Sequence, residues 1–141
     1  MNTLNFLDAN VWLALIWNRH IHSAKARAWF EQASAEQFFF CRITQITVLR
    51  LLTTEHVMGK DTKTMAEAWG VWDRIWADSR VAFLAEPENL EKEFRTHSRL
   101  GTRSPKVWAD AYLLAFANSV GLRLITFDRA LQSRGADVLV L

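Results

Sequence analysis

Three aspartates have the type and placement to do chemistry together. Asp8 directly follows the apolar run 3–7 (TLNFL), and Asp128 follows 122–127 (LRLITF). Asp110 is surrounded by Trp108, Ala109, Ala111, Tyr112, Leu113 and Leu114. An unpaired carboxylate in such company costs several kcal/mol, so it calls for a cation, a hydrogen-bonding partner or a shifted pKa. Three carboxylates brought together without a cation repel one another. Hard divalent cations relieve that repulsion, and Mg²⁺ held by carboxylates keeps places for water and phosphate. Such a centre hydrolyses a phosphodiester with water as the nucleophile. The sequence offers no GxSxG elbow, Walker A loop or HExxH to support another route. Plainer roles exist for each acid. An aspartate after a strand commonly caps the next helix, and an arginine ion pair would satisfy Asp110.

These acids need a scaffold that brings strand ends together. Residues 3–7, 38–41, 81–84, 122–127 and 138–141 read as strands, and helices are expected between them. Residues 10–17 are apolar with little alternation, which suits a short buried helix, and 22–33 form an amphipathic helix with Ala24, Ala28 and 30–33 available for its inner face. Residues 44–54 place Ile46, Leu49 and Leu52 at helical spacing, and 62–78 carry Met65, Trp69, Trp72 and Trp76 as a stripe suited to core or subunit interface. Pro87-Glu88 opens a helix that Gly101 ends. Ser104-Pro105 opens another, with serine as N-cap and proline as first helical residue, running to Gly121. Alternating strands and helices predict an α/β fold, a single domain with a mainly parallel sheet between two helical layers. In open parallel sheets ligands bind at the carboxyl ends of the strands, where Asp8 and Asp128 would emerge.

The bulk composition fits that picture. The chain has 141 residues, half of them hydrophobic and 23% charged, with a formal charge of +2. A mild basic excess is weak evidence for a nucleic-acid partner. Cys41 is the single cysteine, which excludes an intramolecular disulfide and a CxxC metal site. The longest apolar runs, 11–17 and 112–117, are too short to cross a bilayer, and no secretory signal is evident at the N-terminus. A cytoplasmic protein without a membrane partner is expected. Residues 95–106 carry Arg95, His97, Arg99, Arg103 and Lys106 with no acid and lead into the Asp110 helix. They suit either an RNA backbone or an ordinary solvated helix end. His20 and His22 suit a helix entry better than a zinc site.

Taken in order, Asp8-Ala9-Asn10-Val11, Asp110-Ala111-Tyr112-Leu113 with Ala115, and Thr126-Phe127-Asp128-Arg129 resemble the PIN-domain nucleases. Within them the chain is similar to VapC-type toxins of toxin–antitoxin pairs. The likeness includes His20-Ile21-His22 leading to Ala28-Trp29-Phe30, and 41–45 with 49–52. The resemblance implies a three-layer α/β/α sandwich and a Mg²⁺- or Mn²⁺-dependent endoribonuclease. It also implies a dimer neutralised by a cognate antitoxin protein. Asp8, Asp110 and Asp128 would be the metal-binding and catalytic acids, with Asn10 and Thr126 orienting them through hydrogen bonds. Many family members carry a further glutamate on the helix after the second strand. Here that helix offers Thr44, Gln45 and Arg50, with no carboxylate before Glu55. Gln45 is the neutral candidate for supporting the acids, and fewer acids imply that one ion binds firmly before substrate arrives. Arg50, Arg99, Arg103, Lys106 and Arg129 are the candidate RNA contacts. Two rival readings are a catalytically silent PIN-fold RNA-binding or assembly module, and a receiver- or phosphatase-like domain. The second predicts an acidic pair at the first strand, which Asp8-Ala9-Asn10 lacks.

Overall fold

Strands buried on both faces read as continuous apolar runs, whereas helices between them need one apolar side only. The computed structural model describes residues 3–34, 36–134 and 137–141 and follows that division. The elements are β1 (Leu4–Leu7), α1 (Ala9–Ile16), α2 (Ser23–Gln32), β2 (Gln37–Phe40), α3 (Arg42–Leu52), α4 (Glu55–Met58), α5 (Met65–Trp76), β3 (Val81–Phe83), α6 (Leu90–Ser98), α7 (Val107–Val120), β4 (Arg123–Thr126) and β5 (Val138–Val140). Two 3₁₀ turns, Gly59–Asp61 and Arg129–Ser133, follow α4 and β4. The strands form one sheet in the order β3-β2-β1-β4-β5, and every neighbouring pair is parallel.

Alternation along each strand feeds two cores. Leu7, Phe38, Phe40 and Ile125 face α1, α2, α3 and α5, while Phe6 and Leu124 face α7 and Leu90 of α6. On the first face Trp12 meets Phe40 and Trp72 edge-on, at 6.2 and 5.9 Å between ring centroids. On the second face Phe6 stacks on Phe116 at 4.7 Å. Helices cover both faces of the sheet, so the α/β/α sandwich is the observed architecture, with a sheet wholly rather than mainly parallel.

Several local expectations shift. The helix bearing Asp110 starts at Val107, with Lys106 and not Ser104 at the N-cap position. The Ser104 carbonyl instead accepts the Val107 N–H across a preceding turn, so Asp110 lies in the first turn of α7. There the helix dipole favours a carboxylate. At the other end Gly121 takes φ +69°, and the Leu122 N–H bonds the Ala117 carbonyl at 2.8 Å, a left-handed stop. The tryptophan helix begins at Thr64, whose hydroxyl and Glu67 form a reciprocal capping box. Trp72 is core, whereas Met65, Trp69 and Trp76 are exposed. Helix α2 buries Ser23, Ala26 and Phe30, leaving Ala24 and Ala28 outside. Helix α3 begins two residues before the expected start, and α6 ends at Ser98, ahead of Gly101.

Candidate active site

The chain winds from β1 through β2 to β3 on one side and places β4 and β5 on the other. The change of direction falls between β1 and β4, the place where open α/β sheets bind ligands beyond their carboxyl ends. Asp8 leaves β1 there. Its N–H continues the ladder to the Ile125 carbonyl at 2.9 Å, and its own carbonyl accepts the N–H groups of Val11 and Trp12. The Asp8 side chain occupies the N-cap position of α1 without making a side-chain capping hydrogen bond. The carboxylate instead accepts a hydrogen bond from the Thr126 hydroxyl at 3.0 Å.

Thr126 is fully buried at the end of β4, and its hydroxyl oxygen also accepts the Asp128 N–H at 3.1 Å. One hydroxyl therefore ties the two strand ends together. Asp128 is exposed and caps the turn after β4, its Oδ1 accepting the Ala130 N–H at 2.9 Å. The ordinary capping role thus holds for Asp128 and fails for Asp8. Asp110 accepts no hydrogen bond among the described residues.

Electrostatics joins the three. Burial pushes the Asp8 carboxyl above the usual range, opposed by Thr126 and the N–H dipoles of Ala9 and Asn10, and the Asp128 charge pushes further up. Asp110 is raised by burial first, then by Asp8 and Asp128, with Arg134 pulling weakly the other way. Among the described residues none of the three aspartates has an ion-pairing cation. Nor do any three His, Cys, Asp or Glu side chains there close into a metal-ligating cage. The aspartates are coupled by charge but not drawn tightly together. A set of mutually repelling carboxylates with uncommitted oxygens, lacking an arginine or lysine partner, suits a hard divalent cation.

The auxiliary residues divide. Thr126 meets the acids directly. Asn10 is exposed in the first turn of α1, and its side chain makes no hydrogen bond to them among the described residues; only its backbone N–H bears on Asp8. Gln45 is buried, but its Oε1 accepts from Arg42, whose guanidinium lies 4.8 Å over the Phe83 ring. Its carbonyl oxygen is thereby committed to the start of α3, and its amide makes no hydrogen bond to an aspartate among the described residues. Arg50 sits in the last turn of α3, which runs away from the carboxyl edge, and lines a groove with Ile46, Leu49, Met65 and Trp69. Arg99, Arg103 and Lys106 are exposed on the α6–α7 connection, and Arg129 follows Asp128. None of these four has an ion pair among the described residues.

Two participants have no local signal. Arg134 donates to the His97 carbonyl at 2.8 Å, tying the turn after β4 to α6, and that position brings its charge near Asp110. Phe127 packs against His22 at 4.5 Å and His20 at 5.9 Å, so the α1–α2 connection leans on the β4 end. His22 holds the N-cap position of α2 and donates its N–H to His20 Nδ1, in keeping with a helix entry.

Comparison with known proteins agrees with the fold. The PIN domain family model matches residues 6–136. Ribonuclease VapC41 of Mycobacterium tuberculosis is 40% identical over 133 residues, covering 91% of each chain. Among solved structures, the M. tuberculosis toxin VapC20, described as cleaving the sarcin–ricin loop, superposes with a TM-score of 0.70 at 15% identity, covering 94% of this chain and 95% of that one. VapBC2 from Rickettsia felis, bound to a promoter DNA fragment, gives 0.71 at 13% identity over 96% and 97%. With an all-parallel sheet, strand-end aspartates at its switch point and this breadth of match, the chain belongs to the PIN-domain family, in its VapC branch.

Proposed function

We propose that this protein is a divalent-metal-dependent endoribonuclease, the toxin of a toxin–antitoxin pair, with Asp8, Asp110 and Asp128 as its catalytic acids. One observation carries the reading: three charge-coupled aspartates without a cation partner among the described residues, at the switch point of the sheet. The naming of VapC41 as a ribonuclease and VapC20 as a toxin that cleaves an RNA loop supports RNA as the substrate. The VapBC assembly supports an antitoxin partner, and the exposed apolar groove between α3 and α5 suits a second copy in a homodimer.

Asp8 and Asp110 are the residues that would hold the ion, with Asp128 completing the set directly or through water. Mg²⁺ or Mn²⁺ held by these residues would supply Lewis-acid polarisation of the phosphate and would lower the pKa of water so that hydroxide is available as the nucleophile. The chain's own contribution is placement. Thr126 holds Asp8 through its hydroxyl and fixes the Asp128 backbone through the same oxygen. The partly buried Asp110 needs no rearrangement of a salt bridge before it accepts a cation. Arg99, Arg103, Lys106 and Arg129 meet the phosphates on either side, an ionic contribution that salt weakens.

The test is cleavage of total RNA by antitoxin-free protein, with Mg²⁺ and with EDTA, beside Asp8→Asn and Asp110→Asn. Discrete cuts that vanish in EDTA and fall sharply in both variants are expected. Wild-type cleavage by Asp110→Asn would overturn the metal assignment. RNA binding without any turnover would favour a silent binding module, a reading that the lack of a carboxylate on α3 favours.

A further inference from the structure

Trp108 has no role in the site just described, yet it is 59% exposed two residues before Asp110. Two positions along an α-helix turn the side chain by about 200°, so Trp108 and Asp110 stand on opposite sides of the first turn of α7. The indole meets Phe94 at 6.1 Å and an interplanar angle of 64°, and that contact covers only part of it. Trp108 and Ser98 form the wall shared by two hollows of about 150 and 370 Å³. Arg103 lines the first hollow, while Arg95, Arg99, Phe94 and one acid, Glu91, line the second. Arg95 pairs with Glu91 at 3.1 Å, whereas Arg99 and Arg103 have no ion pair among the described residues.

We propose that Trp108 is a stacking platform for an unpaired base of the RNA substrate, a few nucleotides from the cut, with Arg99 and Arg103 holding the flanking phosphates. This rests on the ribonuclease reading and deepens it by naming a base subsite. An aromatic face beside unpaired cations is how proteins hold single strands, because every base has a π-face and every link a charge. A second protein surface fits less well, since the connection carries Arg99, Arg103 and Lys106 and no acid. The geometry also fits a continuous strand. A helix is about 10–12 Å across with its side chains, so RNA rounding the start of α7 reaches from the Asp110 side to Trp108 within a few nucleotides. The substrate class implied is single-stranded or looped RNA with a base free to turn out of its stack.

The experiment uses the antitoxin-free Asp8→Asn protein, to block turnover, and short labelled single-stranded RNAs in which each base in turn is replaced by an abasic site. Trp108→Ala and Trp108→Phe are compared in this background, and cleavage is measured with Asp8 intact. Trp108→Ala should weaken binding about tenfold with an unchanged salt slope, while Trp108→Phe keeps most of the affinity. One abasic position near the cut should weaken binding to the parent but not to Trp108→Ala. Folding is checked by thermal melting, and the phenylalanine variant separates loss of the ring from loss of the fold. If Trp108→Ala binds and cleaves like its parent, with the same abasic profile, the platform is overturned and the ribonuclease reading stands. If that variant instead changes only the oligomeric state, the indole is a subunit contact and the proposal fails. A parent protein that neither binds nor cuts any RNA sinks the ribonuclease reading and the subsite with it.

Discussion

Replacing Thr126 with valine removes one hydroxyl and little else in shape, and the structure sets what that should cost. The hydroxyl donates to Asp8 at 3.0 Å and accepts the Asp128 N–H at 3.1 Å, and the residue is fully buried. A hydrogen bond to a charged group contributes about 1.5–3 kcal/mol, equivalent to about a 10- to 150-fold change in an equilibrium constant. If Asp8 ligates the ion, as proposed, metal binding requires it ionised and in place. Without metal, Asp8 escapes part of the loss by taking up a proton or turning away, whereas the metal-bound state bears the full cost. Divalent-ion affinity should therefore fall about 10- to 100-fold, in line with the effect of removing groups that orient metal ligands. The Asp128 N–H also loses its acceptor; because Asp128 is exposed and water can replace it, the cost is about 0.5–1.5 kcal/mol, which lowers Tm by roughly 1–6 °C in a chain of this size. The assay is calorimetric titration of antitoxin-free protein with Mn²⁺, beside thermal melts with and without the ion. Thr126→Ser restores the hydroxyl and should recover most of the affinity. Wild-type affinity in Thr126→Val, or a serine variant as weak as the valine one, would falsify the idea that this hydroxyl positions Asp8.

Other outcomes follow from the same arrangement. In metal-free protein the raised Asp8 and Asp110 pKa values mean that the folded state holds its protons more tightly than the unfolded chain. Their contribution to stability then declines as pH rises from about 4, the unfolded value, through the folded values, and stays low above them. In EDTA, Asp8→Asn should melt increasingly above wild type over that range, and a gap that does not change with pH would refute the burial argument. Excess Mg²⁺ should stabilise wild type more than Asp8→Asn, read as a larger rise in Tm; equal rises would mean that the ion binds elsewhere. Replacing Arg99 and Arg103 together with alanine should reduce the salt slope of single-stranded RNA binding by about 0.7 for each phosphate no longer neutralised, and an unchanged slope returns that connection to an ordinary solvated surface. Arg50→Ala should leave the salt slope unaltered, because the residue lines the α3–α5 groove away from the acids; a flatter slope would put RNA across that face.

What the sequence discloses about this site depends on how local each determinant is. Asp8 and Asp128 are legible because each ends an apolar strand, and Asp110 because it interrupts an apolar helix. Alternating strands and helices then suffice for the layered fold. The reach of Arg134 to the His97 carbonyl spans 37 positions and leaves no mark on either segment. Gln45 looks free to support the acids until Arg42, three residues earlier, takes its carbonyl oxygen. The Ser104-Pro105 pair signals a chain entering helical geometry, but the ladder starts two residues after the proline, which moves Asp110 into the first turn. Thr64 and Glu67 spell a capping box, a more specific start than Thr62. The segment 55–61 is too short to show a period, so α4 and its 3₁₀ turn are invisible to pattern reading.

Capping and the proposed catalytic role need not compete for the same aspartate. Asp128 commits Oδ1 to the Ala130 N–H, which fixes the carboxylate's direction while leaving Oδ2 available. Asp8 is the complementary case: it stands at a helix start, makes no side-chain capping bond, and is held from the neighbouring strand by Thr126. A carboxylate tethered by hydrogen bonds has surrendered most of its orientational freedom before a ligand arrives, so less is lost on binding. Asp110 lacks such a tether among the described residues and must be placed by α7 alone. Helix α7 is pinned at its far end by Gly121 and along its length by Leu113, Leu114, Phe116 and Ala117 in the core. The precision of the site at Asp110 is therefore a property of the packing of the α7 face against the sheet. Asp8 and Asp128 instead take theirs from hydrogen bonds that Thr126 and the turn after β4 provide.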